Sequence, residues 1–282
     1  MTFEQWIYGT NFDNPSVNGQ WGLLHIITLV ICIGLIIALS LIFRKKDENT
    51  RRKVLIVIAA ILLFFEVTRR IVNITNPVTF TKYNILWVLL PRPGCAISVW
   101  LVMLSPVINK KWFYNFASMI SILCAVIFFA YPGAGFLNKY ILFENLYSIV
   151  THSLFLVGAF LIVTLKLAKF NYREIKGELI SLGGLVVYCI LEMFILTKNA
   201  AGDPLETDPF YIRPSYTLPS GSKYVNEVAD IVGIKSYPLF LVLYLLFIAV
   251  YFSAFYFFSR KNVEKKAYDQ IDAAPEMDAS NF

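Results

Sequence analysis

Seven apolar runs, each of roughly the ~20 residues needed to cross ~30 Å of hydrocarbon, occupy about 20–43, 53–73, 84–108, 112–131, 145–167, 177–197 and 236–258. No other feature constrains the fold as strongly. Backbone in lipid must satisfy its own hydrogen bonds, and an uninterrupted apolar run does so as a helix. The expected fold class is all-α, a polytopic membrane helix bundle of about seven transmembrane helices. Composition excludes the soluble alternatives: the chain is 57% hydrophobic and 16% charged, against roughly 45–50% and about 25% in soluble domains. The expected layout is an external N-terminal segment (1–19), one transmembrane domain (20–258) that includes an external loop (198–235), and a disordered cytoplasmic tail (259–282).

Charge placement gives the orientation. The blocks RKKDENTRRK (44–53), NKK (109–111), Lys166–Lys176 and RKNVEKK (260–266) hold sixteen of the 25 basic residues. Only Lys82, Lys139, Lys198, Arg213, Lys223 and Lys235 fall on the other side, while Arg69, Arg70 and Arg92 lie in or beside spans. With the N-terminus outside and the C-terminus inside, every block meets the cytoplasm, as the positive-inside rule requires. The net charge of +6 is thus a membrane signature, and no nucleic-acid partner is expected. The four cysteines, Cys32, Cys95, Cys124 and Cys189, lie in apolar runs without CxxC spacing, so neither disulfide nor zinc site is indicated. No metal or cofactor is expected. In the 198–235 loop, SKYVNEVADIVG has the spacing of a short amphipathic surface helix. The chain is expected to be a multi-pass protein of the cell membrane, with membrane lipids as its surroundings and partners.

Ionisable groups inside spans are expensive and therefore functional candidates. Here they are His25, Glu66, Arg69, Arg70, Arg92, His152 and Glu192, and the topology gathers them in the outer half of the bundle. Glu66, Arg69, Arg70 and Asn73 form one helical stripe, with Glu66 spaced to pair with Arg69 or Arg70. An arginine freed from that pair could hold a phosphate or carboxylate headgroup. Asn145, Ser148 and His152 form another stripe. His152 is the candidate general acid or base, because an imidazole titrates near neutrality. His25 lies about a turn below the outer surface, where hydration alone can explain it. Candidate substrate-binding groups are His25, Glu66, Arg69, Arg70, Asn145 and Ser148.

In LLPRPGCAISVW, Pro91, Pro93 and Gly94 should break the third span just before Cys95. Broken helix at membrane depth is tolerated only against protein or in a wet cavity. That context makes Cys95 the candidate nucleophile, with His152 as its activating base, although Cys95 comes out about four residues, or ~6 Å, deeper. Cys32, Cys124 and Cys189 are read as packing residues.

The segments GQWGLLHIITL, FFEVTRRI, LLPRPGCAIS and NLYSIVTHSLFLVGAF resemble the YwaF-type bacterial integral membrane family, which is related to the eukaryotic transmembrane protein 164 family and more distantly to the androgen-induced protein family of membrane hydrolases. The similarity runs from about residue 18 to 258. Members carry Leu-Pro-Leu-His-Leu-Cys in the third span; Pro91 and Cys95 match it, and Pro93 stands in place of the histidine. Pro219, Ser222 and Gly233 before Tyr237 and Pro238 echo the loop that precedes the last span. The resemblance implies a six- or seven-span fold and acyl-transfer or ester-hydrolysing chemistry on lipids, with a membrane nucleophile and a histidine. The alternatives are a small-solute carrier or channel with an outer polar vestibule, and a non-catalytic assembly or receptor protein. A retinal-binding reading lacks its interior lysine in span seven.

Overall fold

The computed structural model describes residues 2–9, 21–76, 85–91, 95–130, 136, 141–170 and 174–195, with a few helical positions between Leu246 and Arg260. Among these residues all regular structure is helical. In chain order the helices are α1 (Phe3–Tyr8), α2 (Leu23–Phe43), α3 (Glu48–Thr75), α4 (Ile85–Leu89), α5 (Cys95–Ile108), α6 (Lys111–Ala130), α7 (Phe143–Thr164) and α8 (Ile175–Ile195). Arg92, the 198–235 loop with its amphipathic segment, most of the 236–258 span and nearly all of the tail lie outside the described residues, as do the Cys189 and Glu192 side chains.

Three helices, α2, α6 and α7, are long and apolar enough to cross a membrane, and α5 is a shorter apolar helix. The clearest case is α2, which buries only His25 and Cys32 and exposes Ile26, Ile27, Val30, Ile31, Ile33 and Ile37. A helix that presents aliphatic side chains in nearly every direction is stable only where hydrocarbon covers it.

The helices run up and down, and their ends are tied by side chains that satisfy terminal carbonyls. At the basic end Asp47 caps α3 by accepting from the Thr50 backbone N–H at 2.9 Å and its hydroxyl at 2.5 Å, bonds that hold its carboxyl below the ordinary range. Arg52 Nε donates to the Pro106 carbonyl at 2.7 Å and Arg51 Nη1 to the Leu165 carbonyl at 2.5 Å, closing the ends of α5 and α7. Lys111 reaches Glu48 at 2.5 Å. Asn115, fully buried, holds the backbone of Lys169 by both its N–H (2.8 Å) and its carbonyl (2.9 Å). At the opposite end α1, part of the expected external segment, rests on the bundle: Trp6 Nε1 donates to the Ile141 carbonyl at 2.9 Å and Tyr8 to Thr75 at 3.1 Å.

Two helices, α6 and α7, form the centre; α5 packs against both, α3 against α5 and α7, and α2 against α7. Tyr114, Ala117, Phe155, Leu161 and Ile162 are buried there with Leu55, Leu62, Val99 and Val102. Gly158 permits the closest approach, since a Cβ at that position would stand 2.6 Å from Val102 Cγ1 and 3.5 Å from Ile58 Cγ2.

The third span is interrupted as the prolines require: α4 ends at Leu89, Leu90 and Pro91 are not helical, and α5 begins at Cys95. Two of the carbonyls there are met by side chains, Leu89 by Arg70 Nε at 3.2 Å and Pro91 by the Tyr188 hydroxyl of α8 at 2.6 Å. The break therefore sits against protein, the condition under which a membrane helix can be interrupted.

Candidate functional site

Glu66 is the hub of the polar groups. It lies on the inner face of α3, only 2% exposed, and its carboxylate accepts from Arg70 one turn on, from the Tyr147 hydroxyl of α7 and, at 3.2 Å, from Trp100 Nε1 of α5. The expected pairing of Glu66 is thus with Arg70. Arg70 also donates to the Glu66 carbonyl at 3.1 Å and lies 5.2 Å from the Trp100 ring centroid, so its guanidinium is committed to protein.

Arg69 does something different. Its Nε faces both carboxylate oxygens of Glu144 on α7, at 3.2 and 3.1 Å, and its guanidinium lies over the Tyr147 ring at 4.6 Å. With about a third of each side chain exposed, this pair forms the accessible edge of the network, and no hydrogen bond to the terminal Arg69 nitrogens is formed among the described residues.

His152, one helical step further along α7, is half-buried. Its Nδ1 stands 2.6 Å from the Ser148 carbonyl and 3.5 Å from the Ser148 hydroxyl. A carbonyl can only accept, so Nδ1 carries the proton and Nε2 presents the lone pair, the tautomer needed by a general base. The ring stacks on Phe128 of α6 at 3.6 Å between centroids and tilts against Phe155 at 5.1 Å. Arg69 lies within electrostatic range of it.

Cys95 opens α5 immediately after the break and packs against the edge of the core. Its electrostatic neighbour is Cys124 of α6, which in turn faces Ser98. No hydrogen bond joins Cys95 and His152 among the described residues. They meet the same stripe of α6, since Cys124 and Phe128 are four residues apart, or ~6 Å along the helix.

His25 corrects an expectation. It is not a hydrated surface group but fully buried, packed by Trp21 at 4.8 Å, Phe136 at 4.9 Å and Phe129 at 6.0 Å between ring centroids. Neither ring nitrogen has a hydrogen-bond partner among the described residues. The reason is the aromatic cluster at the end of α6, which covers this part of α2 where the sequence suggested only interface.

Asn145 is buried and its Oδ1 accepts from the Leu142 N–H at 3.3 Å, securing the start of α7. Sequence reasoning did not select Tyr147, Glu144, Trp100 or Phe128. Glu144, Tyr147 and Thr151 share a stripe of α7 at i, i+3 and i+7, a signal as regular as the Asn145, Ser148 and His152 spacing. For Trp100 and Phe128 the sequence carries no signal beyond apolar character. Among the described residues no group of three or more His, Cys, Asp or Glu side chains is placed to hold a metal ion.

Compared with known proteins, residues 20–256 match the model of the TMEM164 family. No curated protein and no solved structure matches the chain. The match spans most of the sequence and all of the site residues described above, so the chain belongs to the TMEM164 family of membrane proteins.

Proposed function

Taking membership of the TMEM164 family as the premise, we propose that this membrane protein transfers or hydrolyses lipid acyl groups at Cys95 and His152. The observation that carries the reading is the state of His152. Its Nδ1–H is fixed on the Ser148 carbonyl, its Nε2 has no hydrogen bond among the described residues, and its ring lies one turn of α6 from the thiol pair. In the reaction, Nε2 takes the Cys95 thiol proton as sulfur attacks the ester carbonyl carbon. The C–S bond forms, the C–O bond breaks, and the proton passes from His152 to the departing alkoxide. A lipid hydroxyl or water then attacks the thioester, its proton returning to sulfur by way of His152. The reaction requires a shift of about one helical turn between α5 and α7 to bring thiol and base into contact.

Arg69 holds an anionic headgroup at the edge of the site, because Arg70 is already committed to Glu66. The working topology has seven spans, with the N-terminus outside, the C-terminus inside and the site opening to the outer leaflet of the cell membrane. The substrates are membrane lipids.

The test is purified protein assayed for acyl labelling and lipid-ester turnover, with Cys95→Ser and His152→Ala beside wild type. Loss of a general base costs roughly 10²–10⁴ in rate, and Cys95→Ser should abolish thioester labelling. Turnover that survives both substitutions refutes the site. Turnover that survives Cys95→Ser alone leaves His152 serving water or a hydroxyl directly. Uptake of a small solute without lipid turnover supports the carrier reading instead.

A further inference from the structure

His25 is a fully buried ionisable side chain with both ring nitrogens unpartnered among the described residues, and the lipid chemistry proposed above does not use it. A buried polar group without a partner is uncommon and calls for a ligand, a water or a mechanism. Three features bear on what would complete it.

The first is the box itself. Trp21, Phe129 and Phe136 surround the imidazole. The Phe129 backbone lies close to the ring but makes no hydrogen bond with it. A neutral imidazole carries one N–H and one lone pair, and here both nitrogens stand in aromatic surroundings. No charged side chain bears on His25 among the described residues, so a carboxylate or phosphate would enter without a counter-charge and be strongly disfavoured. A neutral O–H donor attached to an apolar body fits.

The second feature is Trp21. It holds φ at 63°, a left-handed conformation rare for a bulky residue, and is 55% exposed while its ring covers a fully buried one. Strain of this kind marks candidate functional positions, and here it holds the indole over His25. The third feature is continuity: Phe136 touches both His25 and Phe128, at 4.9 and 6.2 Å between centroids, and Phe128 stacks on His152. The two histidines of the chain thus stand on opposite sides of one aromatic cluster.

We propose that the box formed by Trp21, His25, Phe129 and Phe136 binds the hydroxyl group of a long-chain amphiphile, with Trp21 as its cover and the unpaired His25 nitrogen accepting the hydroxyl hydrogen. Naming that hydroxyl as the acyl acceptor rests on the acyl-transfer reading; the binding does not.

The experiment uses the full-length protein in phosphatidylcholine nanodiscs and two photoreactive probes, a diazirine-bearing hexadecanol and its methyl ether, with labelled peptides identified by mass spectrometry. The alcohol should label peptides containing Trp21–Leu24 or Phe128–Ala130 about fivefold more than the ether, the usual worth of one neutral hydrogen bond. His25→Phe, which fills the box with another ring, should lower alcohol labelling to the ether level. His25→Gln, which keeps an acceptor, should restore part of it. Cys95→Ser should label like wild type. Equal labelling by alcohol and ether, or undiminished labelling of a folded His25→Phe variant, overturns the proposal. Box labelling in a protein without acyl turnover would sink the acyl-transfer reading alone; turnover without hydroxyl-dependent labelling sinks this one alone.

Discussion

Replacing Glu66 by Gln removes one charge and leaves the shape of the side chain intact, so the effect reads the electrostatics of the network. Three donors lose a charged acceptor: Arg70, Tyr147 and Trp100. Breaking a buried ion pair by removing one partner costs about 3–5 kcal/mol, because the other charge is left uncompensated. Two features lower that figure here. Arg70 retains the Leu89 and Glu66 carbonyls and the face of Trp100, and its side chain is 16% exposed, enough for partial rehydration. The glutamine oxygen also still serves one donor. The expected cost is therefore about 2–4 kcal/mol, towards the lower part of the buried-pair range. Arg70→Met alone should cost a similar amount by stranding the carboxylate, whereas the double variant should recover much of the loss, giving a coupling of at least about 2 kcal/mol in a double-mutant cycle. Equilibrium unfolding in mixed detergent and SDS micelles measures each corner. If Glu66→Gln costs no more than about 1 kcal/mol, the value for a solvated pair, the network is interfacial and the reasoning from burial fails.

Gly158→Ala places a methyl group 2.6 Å from Val102 Cγ1 and should cost about 1–3 kcal/mol by overpacking. Val102→Ala in the same chain should relieve part of that loss, as read by the same unfolding assay. Asn115→Leu strands the N–H and carbonyl of Lys169 and should cost about 2–4 kcal/mol, since each buried unpaired group costs about 1–3 kcal/mol; an unchanged midpoint would show that water replaces the amide. The hydrogen bond from Lys111 holds the Glu48 carboxyl below its ordinary range, so its folded-state pKa lies under the unfolded value near ~4.3. The pair's contribution is fully present above that value and is lost as pH falls through the depressed one. Glu48→Gln should remove that part of the acid dependence of the unfolding midpoint, and an identical acid limb in both proteins would count against it.

The fold was legible where hydrophobicity alone decides it. The ends of α2, α6 and α7 lie within three residues of the runs at 20–43, 112–131 and 145–167, because a span ends where apolar residues end. The break before Cys95 was legible from Pro91 and Pro93, whose missing N–H groups no packing can restore. The Glu66 and Arg70 pair followed from helical spacing within one element. What was not legible lies between elements. Tyr147 and Trp100 reach Glu66 from other helices, and no periodicity in α5 or α7 says which aromatic will turn a hydroxyl or an indole N–H towards α3. Cys124 was read as packing because its run is uniformly apolar; only the juxtaposition of α5 and α6 makes it the neighbour of Cys95.

The two histidines show how far identical sequence arguments can diverge. Both sit in apolar runs, the charge pattern alone would put both in the same half of a membrane, and each lies in a motif of the family resemblance. Their neighbours at i−4 separate them. Ser148 precedes His152 by one turn, and its carbonyl lies within reach of Nδ1, so α7 itself supplies the bond that fixes the tautomer and frees Nε2. Trp21 stands at the equivalent position before His25, but α2 begins only at Leu23. No turn of helix lies behind His25 to offer a carbonyl, and the indole covers the ring instead. A histidine placed well inside a helix can borrow its own backbone as an orienting partner, and one in the first turn cannot. On the proposed reading that difference gives proton transfer to His152, and it leaves His25 with a lone pair that only something from outside its own helix can engage.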